Sequence, residues 1–478
     1  MKLLMTHTFR RGLFLASLLG FSRLTGLGQS FPDFKTIALD DLSAFRAAGA
    51  NWAIGGDAWA DPGMAGSLKG KPGTGVALNI LKADHNTQLA TKEEFRDLEL
   101  ELDFMMAKGS NSGVYLQGRY EVQLLDSWGK LNPAFSDVGG IYQRWDDTRG
   151  RDHEGYQGIA PLQNVARAPG LWQHLHICFH APRFNEKGEK IANAVFSRVY
   201  LNGVLVQQEA AVTGPTRSAE FSDEKPTGPL VLQGDHGNVA FRNLRYRSPV
   251  DTASVADNTD NPILLSAEAH PYLLRSFVNY GGRKLTHVIS AGYPTRANYS
   301  YDLKSGALFQ LWRGGFLDVT DMWHDRGEPQ VAKPLGSVIL QSDAPVLAVL
   351  ADDQTPWPDS AGFDEFRNTG YMLDESRFAS FGYEYSGLTV SDKISALPDG
   401  SLERSLTVTA APERLYCRLA VGSLIENSGK GLFTIGDRSY YIRIGEKYKP
   451  WIRQTQHGQE LLIPVDRNQP SLTYSIIW

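Results

Sequence analysis

The sequence predicts an all-β protein, and three observations carry that reading. Glycine and aromatic residues are plentiful, with 47 Gly and 11% Phe, Trp and Tyr. Long helical periodicities are scarce, while short runs alternate apolar and polar residues. Turn sequences punctuate those runs, so strands follow one another without helices between them, the pattern of a sandwich or barrel. The 478 residues favour two or three domains over one. A net charge of −5 offers no basic footprint for nucleic acid or an anionic membrane.

The N-terminus reads as an export signal over residues 1–30. Lys2, Arg10 and Arg11 form a positive region, and Gly12 to Phe21 is an apolar core too short to span a bilayer comfortably. Cleavage is expected near Gly28 to Ser30, which places the mature protein in the periplasm or outside the cell. The Arg10-Arg11 pair suits a twin-arginine signal as well as a general secretory one. No later segment reads as a membrane span. Cys178 and Cys417 fall in different predicted domains and are expected to be buried free thiols. A Cys-x-x-Cys-His motif is absent, so no covalent haem is expected.

A first domain is expected over residues 31–247. "WAIGGDAWADPG" and "TGVALNIL" read as short strands and turns. "EFRDLELELDFMM" reads as one strand with Leu98, Leu100, Leu102 and Phe104 on a core face and Glu99, Glu101 and Asp103 on a wet acidic one. Asn202-Gly203 between "VYL" and "VLV" predicts a type I′ hairpin, whose central residues both need positive φ. Residues 248–269 are small, polar and acidic at their start, and read as a linker. Residues 270–478 are strand-rich again and form a second expected domain. There, "DLKSGALFQLWRGGFLDVTDMW" reads as a strand, a Gly-Gly turn and an aromatic motif. Trp312, Arg313, Phe316, Asp318 and Trp323 could serve it as a packed structural core or as a sugar-binding edge. "DDQTPWPDSAGFDEFRNTGYMLDES" reads as a long surface loop.

The stretch Asn111 to Gly129, "NSGVYLQGRYEVQLLDSWG", carries the functional signal. Gly118 predicts a bend at Gln117-Gly118-Arg119. Val114, Leu116, Tyr120, Val122 and Leu124 share the core parity. Tyr115, Gln117, Glu121 and Gln123 share the other. Long amides both donate and accept hydrogen bonds, which suits hydroxyl-rich ligands as well as a solvated face.

Together with "GGIYQ", "GLWQHLHICF", "VYLNGVLV" and "GPLVLQGDHGNVAFRNLRYR", this stretch resembles the 3-keto-disaccharide hydrolase family, from about Trp52 to Arg247. An Arg more usual for the family near Gln117 is replaced here by Gln-Gly-Arg. The resemblance implies a concanavalin A-like jelly-roll β-sandwich. It also implies substrates whose sugar C3 hydroxyl has been oxidised to a ketone. An ordinary glycosidase needs two carboxyl groups about 5–9 Å apart. Glu121 and Asp126 cannot be that pair on one strand, because five residues separate them by about 17 Å. A 3-keto sugar relaxes the demand: one base removes the acidified C2 proton, the C1 substituent leaves, and water adds to the enone.

On that chemistry the candidate catalytic residues are Glu121 as base or else a metal ligand, His236 as acid, base or ligand or else a turn-capping residue, and Arg144 to polarise the ketone. Candidate substrate-binding residues are Asn111, Tyr115, Gln123, Asp126, Tyr142 and Gln233, with Tyr142 and Trp145 as apolar platforms. Asp126 could instead brace its loop. No cofactor is required, although a divalent cation is compatible, with Asp152, His153 and Glu154 as the local donor cluster. The second domain resembles a β domain found beside bacterial c-type cytochromes, with a mutarotase-like super-sandwich as the expected shape. That resemblance implies an exported sugar dehydrogenase or cytochrome as a partner. A non-catalytic carbohydrate-binding protein and an accessory subunit of such a dehydrogenase are the alternative functions. The first predicts no perturbed titratable group, the second an exposed apolar patch on the C-terminal domain.

Overall fold

The computed structural model describes residues 33–248, 261–324, 330–362, 364–409, 411–468 and 470–478. The predicted export signal and most of the predicted linker lie outside them. The described chain is almost entirely β, with antiparallel sheets, one short α-helix, Thr320–Trp323, and one 3-10 turn, Asp147–Arg149, among the described residues.

The first half is a two-sheet sandwich. An eight-stranded sheet runs in the order Val204–Val212, Ala194–Leu201, Trp172–His180, Leu98–Met106, Val239–Arg247, Lys69–Asn79, Trp52–Trp59, with Lys35–Thr36 beside Val239–Arg247. Against it lies a four-stranded sheet ordered Leu89–Phe95, Gly228–Leu232, Asn111–Leu116, Tyr120–Leu125. Their inner faces form one core that includes Leu100, Leu102, Phe104, Val114, Leu116, Tyr120, Val122, Leu124, Phe179 and Phe241. Each comes from alternate positions along its strand, the periodicity that buries one face of a sheet. Asn202 and Gly203, at φ 51° and 80°, form the predicted tight hairpin.

Two strand readings change. "EFRDLELELDFMM" is divided at Arg96-Asp97, so Leu89–Phe95 and Leu98–Met106 belong to different sheets. Asp97 is held there by Arg183 and the Ala181 amide at 2.7–2.9 Å, fixing the corner. Nor is the acidic face wet. Asp103, Glu101 and Glu99 lie between His174 and His176 on one neighbouring strand and Arg242, Arg245 and Arg247 on the other. His174 Nδ1 meets Asp103 at 2.9 Å, and Arg247 forks onto Glu99 at 2.7 and 2.9 Å. Opposite charges across adjacent strands stabilise a sheet face and allow acids to be covered.

The second half has three antiparallel sheets of six, four and eight strands around a shared apolar core. The far end of the predicted linker belongs to it: Leu264–Leu265 pairs with Ala307–Asp318, and Ala267 is buried. Gly314-Gly315 is no turn. It lies inside the Ala307–Asp318 strand beside a register shift, where a Cβ on Gly314 would strike the Gln163 side chain at 2.5 Å. Trp312 and Phe316 are buried and stacked at 5.9 Å, so they are structural packing, whereas Trp323 is exposed. Arg313 is buried with them, donating to the carbonyls of Gly400 and Trp478 and lying over the Trp128 and Trp478 rings. The predicted long loop ends early, because Phe366–Leu373 is an edge strand that exposes Tyr371, Met372 and Leu373. Cys178 and Cys417 are buried free thiols, as expected.

The halves are in contact. Trp128 Nε1 donates to the Trp478 carbonyl at 2.8 Å, and the Tyr441 hydroxyl donates to the Pro169 carbonyl at 2.9 Å. Ala168, Leu171, Leu432, Tyr441 and Ile477 close an apolar seam around them. This anchors the segment that follows the Tyr120–Leu125 strand. No helix among the described residues is long and apolar enough to cross a membrane.

Candidate active site

The Asn111–Leu116 and Tyr120–Leu125 strands form a tight hairpin rather than one bent strand. Gln117 and Gly118 both have positive φ, 57° and 64°, and the Arg119 amide donates to the Leu116 carbonyl. This corrects the reading that placed Gln117 on the polar face. As a turn residue its amide turns away and donates to the carbonyls of Phe95 and Pro226. Arg119 likewise braces the turn, pairing with Asp223 at 2.7 Å.

The hairpin register sets Tyr115 directly across from Glu121, and Gly113 across from Gln123. Cross-strand partners share a face, so these side chains stand together on the sheet surface opposite the core. Gln233 joins them by donating its backbone amide to the Gly113 carbonyl at 2.9 Å. Gly113 is a matter of space. A Cβ there would lie 2.2 Å from Glu121 Oε1, so glycine is what admits the carboxyl group.

Glu121 is almost wholly buried. Burial pushes its carboxyl up to about 8, the hydrogen bond from Tyr115 opposes that rise, and the Asp235 charge adds to it. Burial and the same carboxylate drive the Tyr115 phenol well above its usual range. From Tyr115 the contacts continue outward. Gln233 Nε2 lies 3.5 Å from the Tyr115 hydroxyl and 3.4 Å from His236 Nδ1, and that nitrogen is 2.6 Å from Asp235. Half of the His236 side chain is exposed, so the row runs from a buried acid to a solvent-facing imidazole. Gln233 Oε1 is buried without a hydrogen-bond partner. A buried acceptor without a donor is costly, and beside such a cluster it is a place for a ligand hydroxyl.

The other candidates divide. Gln123 donates to Asn111 at 2.8 Å on the same surface. Tyr142 is half-buried close to Tyr115, its amide donating to the Glu121 carbonyl and its ring edge meeting Phe135. Asp126 braces a loop: its carboxylate accepts from the Gly109 amide at 2.8 Å, and burial raises its pKa against that bond. Arg144 is held elsewhere, donating to Thr213 at 2.6 Å and lying over the Tyr156 ring. Its charge acts on Tyr120, a core-face residue. Trp145 is covered by Arg217, whose guanidinium lies 3.7 Å from the ring. Asp152, His153 and Glu154 follow one another around an exposed turn, and the donor cluster that does converge among the described residues is elsewhere. Two participants were missed. Asp235 adjoins His236 in "GDHGN", and Gly113 lies in the quoted "NSG", where only the hairpin register reveals its purpose.

Residues 40–247 match the family model described as the 3-keto-alpha-glucoside-1,2-lyase-like domain. No curated protein matches. Among solved structures, a Parabacteroides distasonis protein described as a "putative glycosyl hydrolase" is 22% identical, covering 48% of this chain and 97% of that one, with a TM-score of 0.30. A second from the same organism, described in the same words, is 21% identical over 46% of this chain and all of that one, with a TM-score of 0.31. The residues that match this 3-keto-alpha-glucoside-1,2-lyase-like domain model include Glu121, Tyr115, Gln233 and His236, the side chains that the sandwich presents on one surface.

Proposed function

We propose that the first domain cleaves glycosidic bonds of 3-keto-glycosides, in an exported protein, by elimination and hydration. The observation that supports this most is a single deeply buried carboxyl group, Glu121, raised to about 8 and hydrogen-bonded to Tyr115. A base in that range can abstract a proton near neutral pH.

Glu121 takes the proton from C2, and the electron pair becomes the enolate of the C3 ketone. That pair then forms the C1–C2 double bond as the C1–O bond breaks. His236 protonates the departing oxygen, with Asp235 holding the imidazole. Water then adds at C1, and the proton returns to C2, giving the free 3-keto sugar. Tyr115, hydrogen-bonded to Glu121, and the Gln233 amide beside Tyr115 would polarise the C3 oxygen, the task first expected of Arg144. Asn111 and Gln123 hold hydroxyls, and Tyr142 flanks the ring. A non-catalytic carbohydrate-binding role does not require a perturbed acid, so the state of Glu121 favours the enzyme.

The test compares a 3-keto-glucoside with its unoxidised parent as substrates for the purified protein. Turnover of the keto sugar alone is expected; turnover of neither sugar sinks the proposal. A second measurement probes the hairpin. Gly113→Ala forces the Glu121 carboxyl aside and should lower kcat at least tenfold with little change in melting temperature. Wild-type kcat in that variant would show that the carboxyl position is unimportant.

A further inference from the structure

The outer face of the eight-stranded sheet carries a cluster with no part in the proposed reaction. It occupies the end of the ladder of acids flanked by His and Arg. Glu99 and Cys178 are directly paired across the Leu98–Met106 and Trp172–His180 strands, and His176 stands two residues from Cys178 on the same face. His176 Nε2 lies 3.0 Å from Glu99 Oε1 and 3.6 Å from Cys178 Sγ. One donor atom from each residue falls within 4.8 Å of the other two.

The 3.6 Å His176–Cys178 separation matches an edge of a coordination tetrahedron, and the 3.0 Å His176–Glu99 separation would open by a few tenths of an ångström to do so. With about 2.0–2.1 Å to nitrogen or oxygen and about 2.3 Å to sulfur, adjacent ligand atoms sit roughly 3.3–3.6 Å apart. The supports a metal site needs are also present. Arg247 grips both oxygens of Glu99, and the Tyr200 ring stacks on His176 at 5.5 Å, so the carboxylate and imidazole are held in place before any ion arrives. Cys178 is buried, while a quarter of the His176 side chain is open. The cluster therefore meets solvent on the His176 side. The face is separated from Glu121 by the whole core of the sandwich.

We infer that Glu99, His176 and Cys178 form a binding site for a thiophilic divalent cation of the zinc type, with Arg247 and Tyr200 as positioning residues. Thiolate and imidazole select against magnesium and calcium, which prefer all-oxygen shells. Binding releases the Cys178 thiol proton and the proton that His176 shares with its neighbours. The ion is a structural clamp between two central strands, apart from the proposed catalytic surface.

Cobalt(II) reports such a site without reference to activity. The full-length protein, stripped with EDTA under reducing conditions, is titrated with cobalt and then with zinc. One cobalt per chain is expected, with visible d–d absorption and a near-ultraviolet thiolate-to-cobalt band, both erased by zinc. Cys178→Ser should remove the near-ultraviolet band and weaken binding at least a hundredfold. Cys417→Ala should leave both unchanged. Should Cys178→Ser fail to fold, His176→Gln, altered at a partly open side chain, decides by the same loss of affinity. Absence of a thiolate band in the wild type, its survival in Cys178→Ser, or undiminished affinity in His176→Gln overturns the inference.

Discussion

Glu121→Gln is expected to lower turnover of a 3-keto-glucoside by about 10²- to 10⁴-fold, the usual worth of a positioned general base. The amide keeps the volume and one hydrogen bond to Tyr115 but cannot take a proton. In the wild type, kcat/KM should rise with pH through about 8, where the buried carboxyl ionises. Stability should move the opposite way. Folding raises this group's proton affinity, so its contribution is full below its unfolded value near 4.5 and is lost as pH climbs through about 8. The wild type therefore gives up on the order of a few kcal/mol across that window, and Glu121→Gln does not. The variant should melt higher than the wild type at pH 9 and level with it near pH 4. An active variant, or one with no pH-dependent difference in melting, would remove Glu121 from the role of buried base.

Asp392→Ala is expected to destabilise the second half by about 3–5 kcal/mol, measured by urea unfolding. Asp392 is wholly buried and accepts from Arg404 Nε at 3.0 Å, from Arg404 Nη2 at 2.6 Å and from the Tyr301 hydroxyl at 3.0 Å. Arg404 also donates to the Gly306 carbonyl and to the Tyr474 hydroxyl. Removing the carboxylate leaves a buried guanidinium without its counter-charge. Replacing both partners by leucine removes the charge along with its need for a partner, so Asp392→Leu with Arg404→Leu should recover most of the loss. A single variant as stable as the wild type would show that water reaches Arg404.

The all-β class was legible because alternation and turn residues are local. Asn202-Gly203 is a hairpin for reasons contained in four residues. The core parity of Val114, Leu116, Tyr120, Val122 and Leu124 was legible on the same ground, since alternate residues must share a face. The reading failed where geometry depends on a neighbour. Gln117-Gly118-Arg119 looks like a kink in one strand, and only the pairing of Tyr115 with Glu121 shows that it reverses the chain. Gly314-Gly315 looks like a turn until the adjoining strands and Gln163 occupy the space around it.

The sequence by itself determined that alternating strands would bury one face of the Asn111 to Gly129 stretch and gather Tyr115, Glu121 and Gln123 on the other. Tertiary structure decided how those residues behave. The hairpin register put a phenol against the carboxyl, and Gly113 made room for it. A strand more than a hundred residues onward brought Gln233, Asp235 and His236 alongside. Burial then turned an ordinary glutamate into an acid of about 8. Proton affinity depends on the dielectric and charges around a group, and those come from residues far away in the chain.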